Sequence, residues 1–494
     1  MTGFNGEFII NWSSWWQDLF ILLSIFSLLL LLVGGSYLII SDLSKEERQG
    51  TLNFIRLSPQ PAQTILWGKL LGVPVLFYLM LLLTLPLSIY AGLAGQLSPA
   101  TLVCYYSIVV GSCLFFYSLS LMFGLVTTWL GSLQAWVGSG TFFLILSTYT
   151  LMNTGGAEVN NVSIWPRILF PTLFVPGLET SVMLRSSGSL QLSHLQWFYL
   201  PIGLITIGTT AFTLVLYGVG TYWIWQVLKR RFRTTHATIL TKVQSYTLTA
   251  ILQGAMLGFM VQPGLTSSSY NIEVAWIYML TLNLCLGLFL MAALMPQRTV
   301  LVEWARYRYV RRSERQSGLR QWLKELTWGE NSPAFLAIVL NLLILAIAQG
   351  VWIGLTFTAE TANGSVIRGQ ALLGTVLTLG ILLVYAAIVQ LCLLSASPRR
   401  TVLAAGAIVV AMLIPPIILA FLDLAPNSYS GAPFWLFTAF PWVAVEYTLR
   451  STFLFACVSQ CLATTLLNLQ FARRLHRLGE SASKALLTPS TQVL

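Results

Sequence analysis

The side chains that most often carry out acid–base or metal chemistry are few in this sequence and lie away from its apolar runs. The 494 residues include 16 Asp and Glu and three His. None falls at the centre of an apolar run, where a charge costs at least roughly 2.5–3.5 kcal/mol and is kept for proton or ion coupling. This distribution argues against a proton-coupled carrier, whereas sodium coupling through backbone carbonyls stays open.

Sequence motifs for catalysis and nucleotide binding are also missing. The chain has no His/Glu metal motif, no Gly-x-Ser-x-Gly elbow and no Gly-x-x-x-x-Gly-Lys-Ser/Thr phosphate loop, so it cannot hydrolyse ATP by that last route. Cys457 and Cys461 are four residues apart, but without a nearby histidine small core residues explain them better than a metal site. We expect no catalytic residue, metal or cofactor in this chain.

The composition predicts an all-α integral membrane protein. Hydrophobic residues make up 56% of the chain and charged residues 9%, against about 25% charged residues in soluble domains. Several apolar runs exceed the roughly 18 residues that indicate a membrane helix. Eleven spans are predicted, near 19–40, 66–94, 102–128, 133–152, 197–228, 247–262, 274–295, 334–357, 370–396, 401–422 and 443–470.

The basic residues predict the orientation of these spans. Of the 27 Lys and Arg, 23 fall in loops on one side of the predicted spans. Only Arg167, Arg185, Arg368 and Arg450 fall on the other side. Because cytoplasmic loops are enriched in Lys and Arg, we expect an outer N-terminus and a cytoplasmic C-terminus in the plasma or inner membrane. This topology, rather than nucleic-acid binding, accounts for the net charge of +11.

The chain is predicted to consist of two similarly arranged halves, residues 1–240 and 241–494, joined by a basic stretch. The first would have about five spans and the second about six, because the second has one more opening span. Each half has a cytoplasmic helical segment, at 41–63 and at 296–333, followed by four spans. Each also has an outward stretch rich in Pro and aromatic residues before its last span, a layout typical of duplicated transporters.

Both outward stretches carry an acid and a base close together. The pairs are Glu179 with Arg185 and Glu446 with Arg450. One interpretation is an exposed ion pair worth less than about 1 kcal/mol. The other is an outer gate for a substrate.

The segment 44–59 has the start and stop signals of a helix. Ser44 and Glu47 fit the Ser-x-x-Glu capping box, and Pro59 keeps Ser58 out of helical geometry. The predicted rod is about 20 Å long. Its first turns are charged and free to touch a partner, and its later turns are apolar. Pro61 is then expected to open the next span. Such a rod could be a surface anchor or a docking element.

The sequence of this segment resembles that of the permease subunit of type-2 ABC exporters. That family typically shows an acidic pair, then Gly-Thr-Leu, Ser-Pro and Gly-Lys-Leu, and this chain has each motif in order within about 30 residues. The resemblance implies a coupling helix that seats in a separate ATPase subunit, which is expected in two copies and binds the ATP and Mg. The residues implied at this contact are Glu46, Glu47, Gly50, Thr51, Leu52, Ser58 and Pro59.

The second half departs from this pattern. Its segment 296–333 keeps a helix, a Gly stop and a Ser-Pro entry but lacks the acidic pair with Gly-Thr-Leu. A weaker second ATPase contact is predicted there, and the excess of Arg could instead bind anionic lipid. The residues of this weaker contact are Glu303, Trp304, Arg306, Glu325 and Gly329.

Two hypotheses for function follow from the sequence. In the first, the chain is the membrane subunit of an ATP-driven ABC transporter, an exporter, with both permease halves fused and the substrate moving between them. In the second, it is an ATP-independent secondary carrier or an integral-membrane enzyme. The sequence does not define the substrate.

Overall fold

A computed structural model describes residues 11–154, 166–178, 195–234, 237–261, 269–313, 319–357 and 364–487. Within these ranges the chain is helical and has no β-strand. Ten helical segments in the same ranges are long and apolar enough to cross a membrane. The predicted all-α, multi-spanning class is therefore confirmed.

The chain forms two compact units, Met1–Thr235 and His236–Leu494. In the first unit, short 3₁₀ turns at Thr128–Leu133 and Pro171–Phe174 join longer helices. The helices are α1 (Trp12–Leu29), α2 (Gly35–Gln49), α3 (Thr51–Leu57), α4 (Ala62–Gly72), α5 (Val75–Ala94), α6 (Pro99–Val126), α7 (Gln134–Thr154) and α8 (Thr206–Arg233).

Helix α6 is the centre of the first unit, and it packs against α2 and α8. Helices α1 and α2 form one continuous segment because the turn between them, Leu30–Gly34, is a π-helix. Tyr117 of α6 donates to the carbonyl oxygen of Leu31 at this turn over 2.8 Å. A Cβ on Gly35 would lie 2.3 Å from the Tyr117 hydroxyl, so only glycine allows this close packing.

The predicted start of a helix at Ser44 is wrong. Ser44 lies inside α2, where its buried hydroxyl donates to the Gly131 carbonyl over 3.0 Å. The predicted single rod over 44–59 is also wrong, because Gly50 adopts φ 74° and ends α2 before α3 begins. A capping box needs a free helix end, whereas the helix here continues from the upstream apolar run through Ser44.

The predicted stop before Pro59 is confirmed. Helix α3 ends at Leu57, and Ser58 has extended geometry with ψ 145°. Pro61 is the capping residue of α4 rather than its first helical residue. The predicted span 66–94 is divided at Val73 and Pro74 into α4 and α5, because Pro74 lacks the backbone N–H that would continue the helical ladder.

The second unit is built around α14, which packs against α13, α15 and α17. Short 3₁₀ turns at Pro441–Val443 and Val445–Tyr447 precede its last helix. The helices are α9 (Lys242–Met260), α10 (Ser269–Leu294), α11 (Arg298–Ser313), α12 (Leu319–Trp328), α13 (Phe335–Thr356), α14 (Gly364–Leu393), α15 (Arg400–Phe421), α16 (Ala432–Trp435) and α17 (Arg450–Leu487).

One predicted span differs from the others. The run 247–262 corresponds to α9, which is helical but is not among the ten described segments apolar enough to cross a membrane. Helix α9 carries Ser245, Thr249 and Gln253 on one face, and all three are buried. These polar residues lower the apolar character of the helix, although they face the interior of the unit.

The turn at Gly50 gives a test of the break between α2 and α3. A side chain at φ 74° costs roughly 1–2 kcal/mol, so Gly50→Ala should lower the midpoint of thermal unfolding in detergent. Gly68→Ala is the matched control, because a Cβ at either glycine meets no atom within 4 Å and Gly68 lies inside α4, where Ala is favoured by up to about 1 kcal/mol. Equal midpoints for the two variants would contradict the left-handed turn.

Candidate functional site

Helix α3 presents two apolar side chains at the surface of the first unit. Phe54 is 80% exposed and Leu57 is 85% exposed. They are three residues apart, so they lie on the same face of the helix. Leu52 is 1% exposed and belongs to the core of the unit, so its side chain does not reach the surface predicted to contact an ATPase. The helix is thus anchored by one face and exposes the other.

A buried lysine fixes the ends of the two helices beside α3. Lys69 of α4 places its Nζ 2.6 Å from Asp42 Oδ2 and 2.7 Å from Glu46 Oε1, both on α2. The lysine side chain is only 11% exposed. The carboxylates of Asp42 and Glu46 are 35% and 21% exposed, so water screens part of the attraction. The ammonium between the two carboxylates nevertheless joins α4 to α2.

The second acid of the pair, Glu47, is held by α3 itself. Arg56 lies 3.8 Å from Glu47 Oε2, and it also packs over the ring of Phe232 at 5.8 Å. Thr51 donates its hydroxyl to the Glu46 carbonyl over 3.2 Å and closes the turn at Gly50. Glu46 and Glu47 therefore both form ion pairs within the chain, whereas Lys45 and Arg48 in the same turns are exposed.

Three loops predicted on one side of the membrane meet around α3. The Ser44–Gly131 hydrogen bond joins α2 to the turn after α6, and Arg56 reaches Phe232 near the end of α8. Trp67 of α4 stacks on Trp225 of α8 with ring centroids 4.6 Å apart. Ser58 is half-buried and Pro59 exposed in the connection from α3 to α4. These contacts agree with the predicted alternation of spans in this unit.

The residues predicted for the weaker contact meet in the second unit. Glu303 and Trp304 of α11, together with Glu325 and Gly329 at the end of α12, line one cavity of about 340 Å³. Glu330 lines it as well, so three carboxylates and an indole share the wall. Arg306, the fifth residue predicted here, is exposed and is not among the residues that line the cavity.

Lys242 of α9 holds the end of α12 in place. Its side chain is buried, and its Nζ donates to Leu326 O over 2.6 Å, to Ser332 Oγ over 2.6 Å and to Pro333 O over 3.2 Å. A cation is favoured at a helix C-terminus, where backbone carbonyls are unpaired. Burial nevertheless lowers the pKa of Lys242 to about 8, because these partners are neutral oxygens and no carboxylate.

The proposed outer gate is not assembled as predicted. Glu179 and Arg185 lie outside the described residues. Glu446 and Arg450 are both exposed, and no ion pair joins them in the part of the chain that the structure describes. The electrostatic neighbour of Glu446 is Glu273 of α10, which has the same charge. The spacing of four residues requires a continuous helix, whereas α17 begins only at Arg450.

The second unit also contains buried amides that the distribution of charges along the spans does not reveal. They are Gln253, Asn283, Asn341 and Gln349. The available signal was the spacing of Ser245, Thr249 and Gln253, four residues apart along α9, which marks one polar helix face. Among the described residues, the cysteines are free and no cluster able to hold a metal ion is found.

The pKa of Lys242 predicts a specific pH dependence. Between pH 8 and 10.5 the unfolded chain binds more protons at this position than the folded chain, so the free energy of unfolding should rise with pH in this window. Lys242→Met should lack this rise and, below pH 8, should destabilise the protein by about 1–3 kcal/mol, because buried oxygens lose their donor. Thermal unfolding in detergent from pH 7.5 to 10.5 measures both effects.

The control for this experiment is Lys324→Met, which removes an exposed lysine from α12. It should keep the wild-type dependence on pH. If Lys242→Met also kept the wild-type dependence, the lysine would be solvated rather than buried at the end of α12.

Comparison of the chain with models of protein families, with characterised proteins and with solved structures finds no match. The function of the α3 surface must therefore be inferred from its own residues: an exposed apolar face on a short helix, which ion pairs and a buried leucine hold against the rest of the first unit.

Proposed function

We propose that this chain is the membrane-spanning subunit of an ATP-driven ABC exporter and that α3 is the helix on which a separate ATPase subunit docks. The observation that carries the proposal is the exposed pair Phe54 and Leu57 on a helix held rigidly from behind. This geometry supports the interpretation suggested by the type-2 exporter motif, whose residues run from the end of α2 through α3 into α4.

The exposed face suits a helix that seats in a groove of a partner. Apolar side chains at i and i+3 are the usual anchors of this mode of recognition. Fully burying a Phe or Leu side chain contributes about 1.5–3 kcal/mol, so these two residues could supply most of the energy of a modest interface. The contact proposed here therefore shifts from the acidic pair, Glu46 and Glu47, to the apolar residues that follow it.

The acidic pair has a different role in this proposal. Glu46 joins Lys69 on α4, and Glu47 joins Arg56 on α3. A push on α3 would thus reach α2 and α4 together rather than bend a loose loop. Because α2 continues through the π turn into α1, the displacement would be passed directly to a membrane span.

The internal arrangement of the two units supports a duplicated permease. Each unit has a central helix, α6 or α14, that packs against the last helix of the unit, α8 or α17. In each unit a 3₁₀ turn that begins with proline, Pro171–Phe174 or Pro441–Val443, also packs on the central helix. The transported substrate would move as two such halves rock against each other.

The energy source in this proposal lies outside the chain. The sequence contains no phosphate loop, so ATP and Mg would be bound by two copies of the partner. One copy would dock on α3. The second copy would meet the cavity formed by Glu303, Trp304, Glu325 and Gly329, whose carboxylates favour a basic contact rather than an apolar one.

The docking role predicts a loss of ATPase capture when the apolar face is made polar. The full-length tagged chain is co-expressed with candidate ATPase subunits, and the retained ATPase and its ATP hydrolysis are measured after purification. Phe54→Ser combined with Leu57→Ser should weaken capture at least about tenfold, since 1.4 kcal/mol corresponds to a factor of ten. Glu46→Gln should weaken it less, because Glu46 acts through Lys69.

Phe421→Ser is the matched control for the apolar substitutions. Phe421 is 87% exposed and lies at the predicted outer end of the span 401–422, away from the predicted cytoplasmic side. Its replacement should therefore leave capture of the ATPase unchanged. Capture of the ATPase by the double variant at the wild-type level would refute docking on α3. Substrate movement by this chain alone in liposomes without ATP would instead favour a secondary carrier.

A further inference from the structure

The interior of the second unit contains a row of three side-chain amides from three helices. Gln253 of α9, Asn283 of α10 and Gln349 of α13 are each at most 2% exposed. Gln253 Nε2 donates to Asn283 Oδ1, and Asn283 Nδ2 donates to Gln349 Oε1 over 2.9 Å. The three amides therefore form one hydrogen-bonded row across the bundle.

The row ends in two polar atoms that have no partner. Within the described residues, Gln253 Oε1 receives no hydrogen bond and Gln349 Nε2 makes none. A buried polar atom left unpaired costs about 1–3 kcal/mol. Reversing all three amides would exchange the two ends but would still leave one donor and one acceptor. The open ends are therefore a property of the arrangement and not of the assignment of nitrogen and oxygen.

A neighbouring amide shows that this bundle can satisfy such a group completely. Asn341 lies two turns before Gln349 on α13 and is also fully buried. Its Nδ2 donates to Ser245 Oγ and to Ala337 O, both over 2.9 Å, and its Oδ1 accepts from Thr249 over 2.7 Å. The α9–α13 contact continues beyond the row, where Trp352 Nε1 donates to Met260 O over 3.1 Å. The unsatisfied polarity therefore lies between two levels at which the polar groups of this contact are paired.

The open ends define the chemistry of a ligand. An amide oxygen requires a donor and an amide NH₂ requires an acceptor, so the ligand must offer both. It must also be uncharged, because the charges on the described parts of these helices are Lys242 and Glu273, which lie at helix ends. At 1.5 Å per residue, both are about 15 Å along their helices from the amide row.

The residues that follow the two open-ended glutamines leave room beside the row. Both are glycines, Gly254 and Gly350, and a Cβ added to either meets no atom within 4 Å. Gly254 is exposed and Gly350 is half-buried. The two helices therefore carry no side chain at the positions that follow the open-ended glutamines, and the space beside these two positions is open.

We propose that Gln253, Asn283 and Gln349 form a binding site for one uncharged group that both donates and accepts hydrogen bonds, namely a water molecule or the hydroxyl of a solute. The ligand donates to Gln253 Oε1 and accepts from Gln349 Nε2, which satisfies both open ends. This site goes beyond ATPase docking and does not depend on it. Polar groups are costly within apolar bundles and therefore mark sites of function.

The test is magnetisation transfer from water to side-chain amides in the full chain, labelled with ¹⁵N-Gln and ¹⁵N-Asn and held in lipid bilayers. Gln349→Met identifies the Gln349 signal, and Asn341→Leu identifies the signal of the satisfied amide. Transfer to Gln349 but not to Asn341 is expected. Ethylene glycol is then added. A loss of the water signal at Gln349 assigns the site to solute hydroxyls, and an unchanged signal assigns it to water.

A second variant tests the site without replacing any of the three amides. Gly350→Leu should abolish transfer to Gln349 while leaving the amide row in place, because it fills the open space beside this position, the approach proposed for the ligand, without removing a polar group. If Gln349 is as isolated from water and glycol as Asn341 in the unsubstituted chain, the row is only a dry contact between helices and the proposal is overturned. Transfer that persists in Gly350→Leu would overturn the proposed approach.

Discussion

The contact of Lys69 with Asp42 and Glu46 is the interaction on which the exposed surface of the first unit depends. It lies where the end of the long α1–α2 segment meets the short helices α3 and α4. Helix α3 has only seven residues, far fewer than an isolated helix needs for stability in water. The ammonium between two carboxylates fixes α2 relative to α4, and α3 is held between them by its two connections, by Leu52 and by Arg56. These ion pairs thus hold α3 in a position in which Phe54 and Leu57 are exposed.

In the second unit a lysine also anchors a short helix, but with different partners. Lys242 holds the end of α12, a helix in the segment predicted to be cytoplasmic, through two backbone carbonyls and a hydroxyl. Neutral oxygens compensate a buried cation less than carboxylates do, which is why burial lowers the pKa of this lysine. The two units therefore share a helical layout while differing in the strength of the contact that anchors their short helices.

Much of the fold could be predicted from the sequence because long apolar runs leave few alternatives. All eleven predicted spans coincide with helices, and among the described residues ten of them are long and apolar enough to cross a membrane. The stop at Ser58 follows from the proline after it. The continuation of α2 through Ser44 could not be predicted, since the Ser-x-x-Glu sequence of a capping box can also occur within a continuous helix. The turn at Gly50 is a property of φ, which Gly-Thr-Leu does not specify. The ion pairs of Glu46 and Glu47 require the fold. Lys69, the partner of Glu46, is more than 20 residues away in the chain, and Arg56, the partner of Glu47, lies beyond the turn at Gly50.

The amide row is a polar feature of the bundle that the distribution of charged residues along the spans does not reveal. Gln and Asn are uncharged, yet in an apolar bundle they set which helices meet and where polarity is left over. The two parts of the 44–59 segment differ in the structure. The acids Glu46 and Glu47 form ion pairs within the chain, and the apolar residues Phe54 and Leu57 of the later turns are exposed.

The most direct test of this account is photo-crosslinking from position 57 in native membranes, with Leu57 replaced by p-benzoylphenylalanine in the full-length chain. The account predicts a covalent product with a subunit whose sequence carries the Gly-x-x-x-x-Gly-Lys-Ser/Thr phosphate loop, identified by mass spectrometry of the crosslinked peptide. The same probe at Phe421 should give no such product. Crosslinks from position 57 to lipid alone would contradict the account and would make α3 a surface anchor.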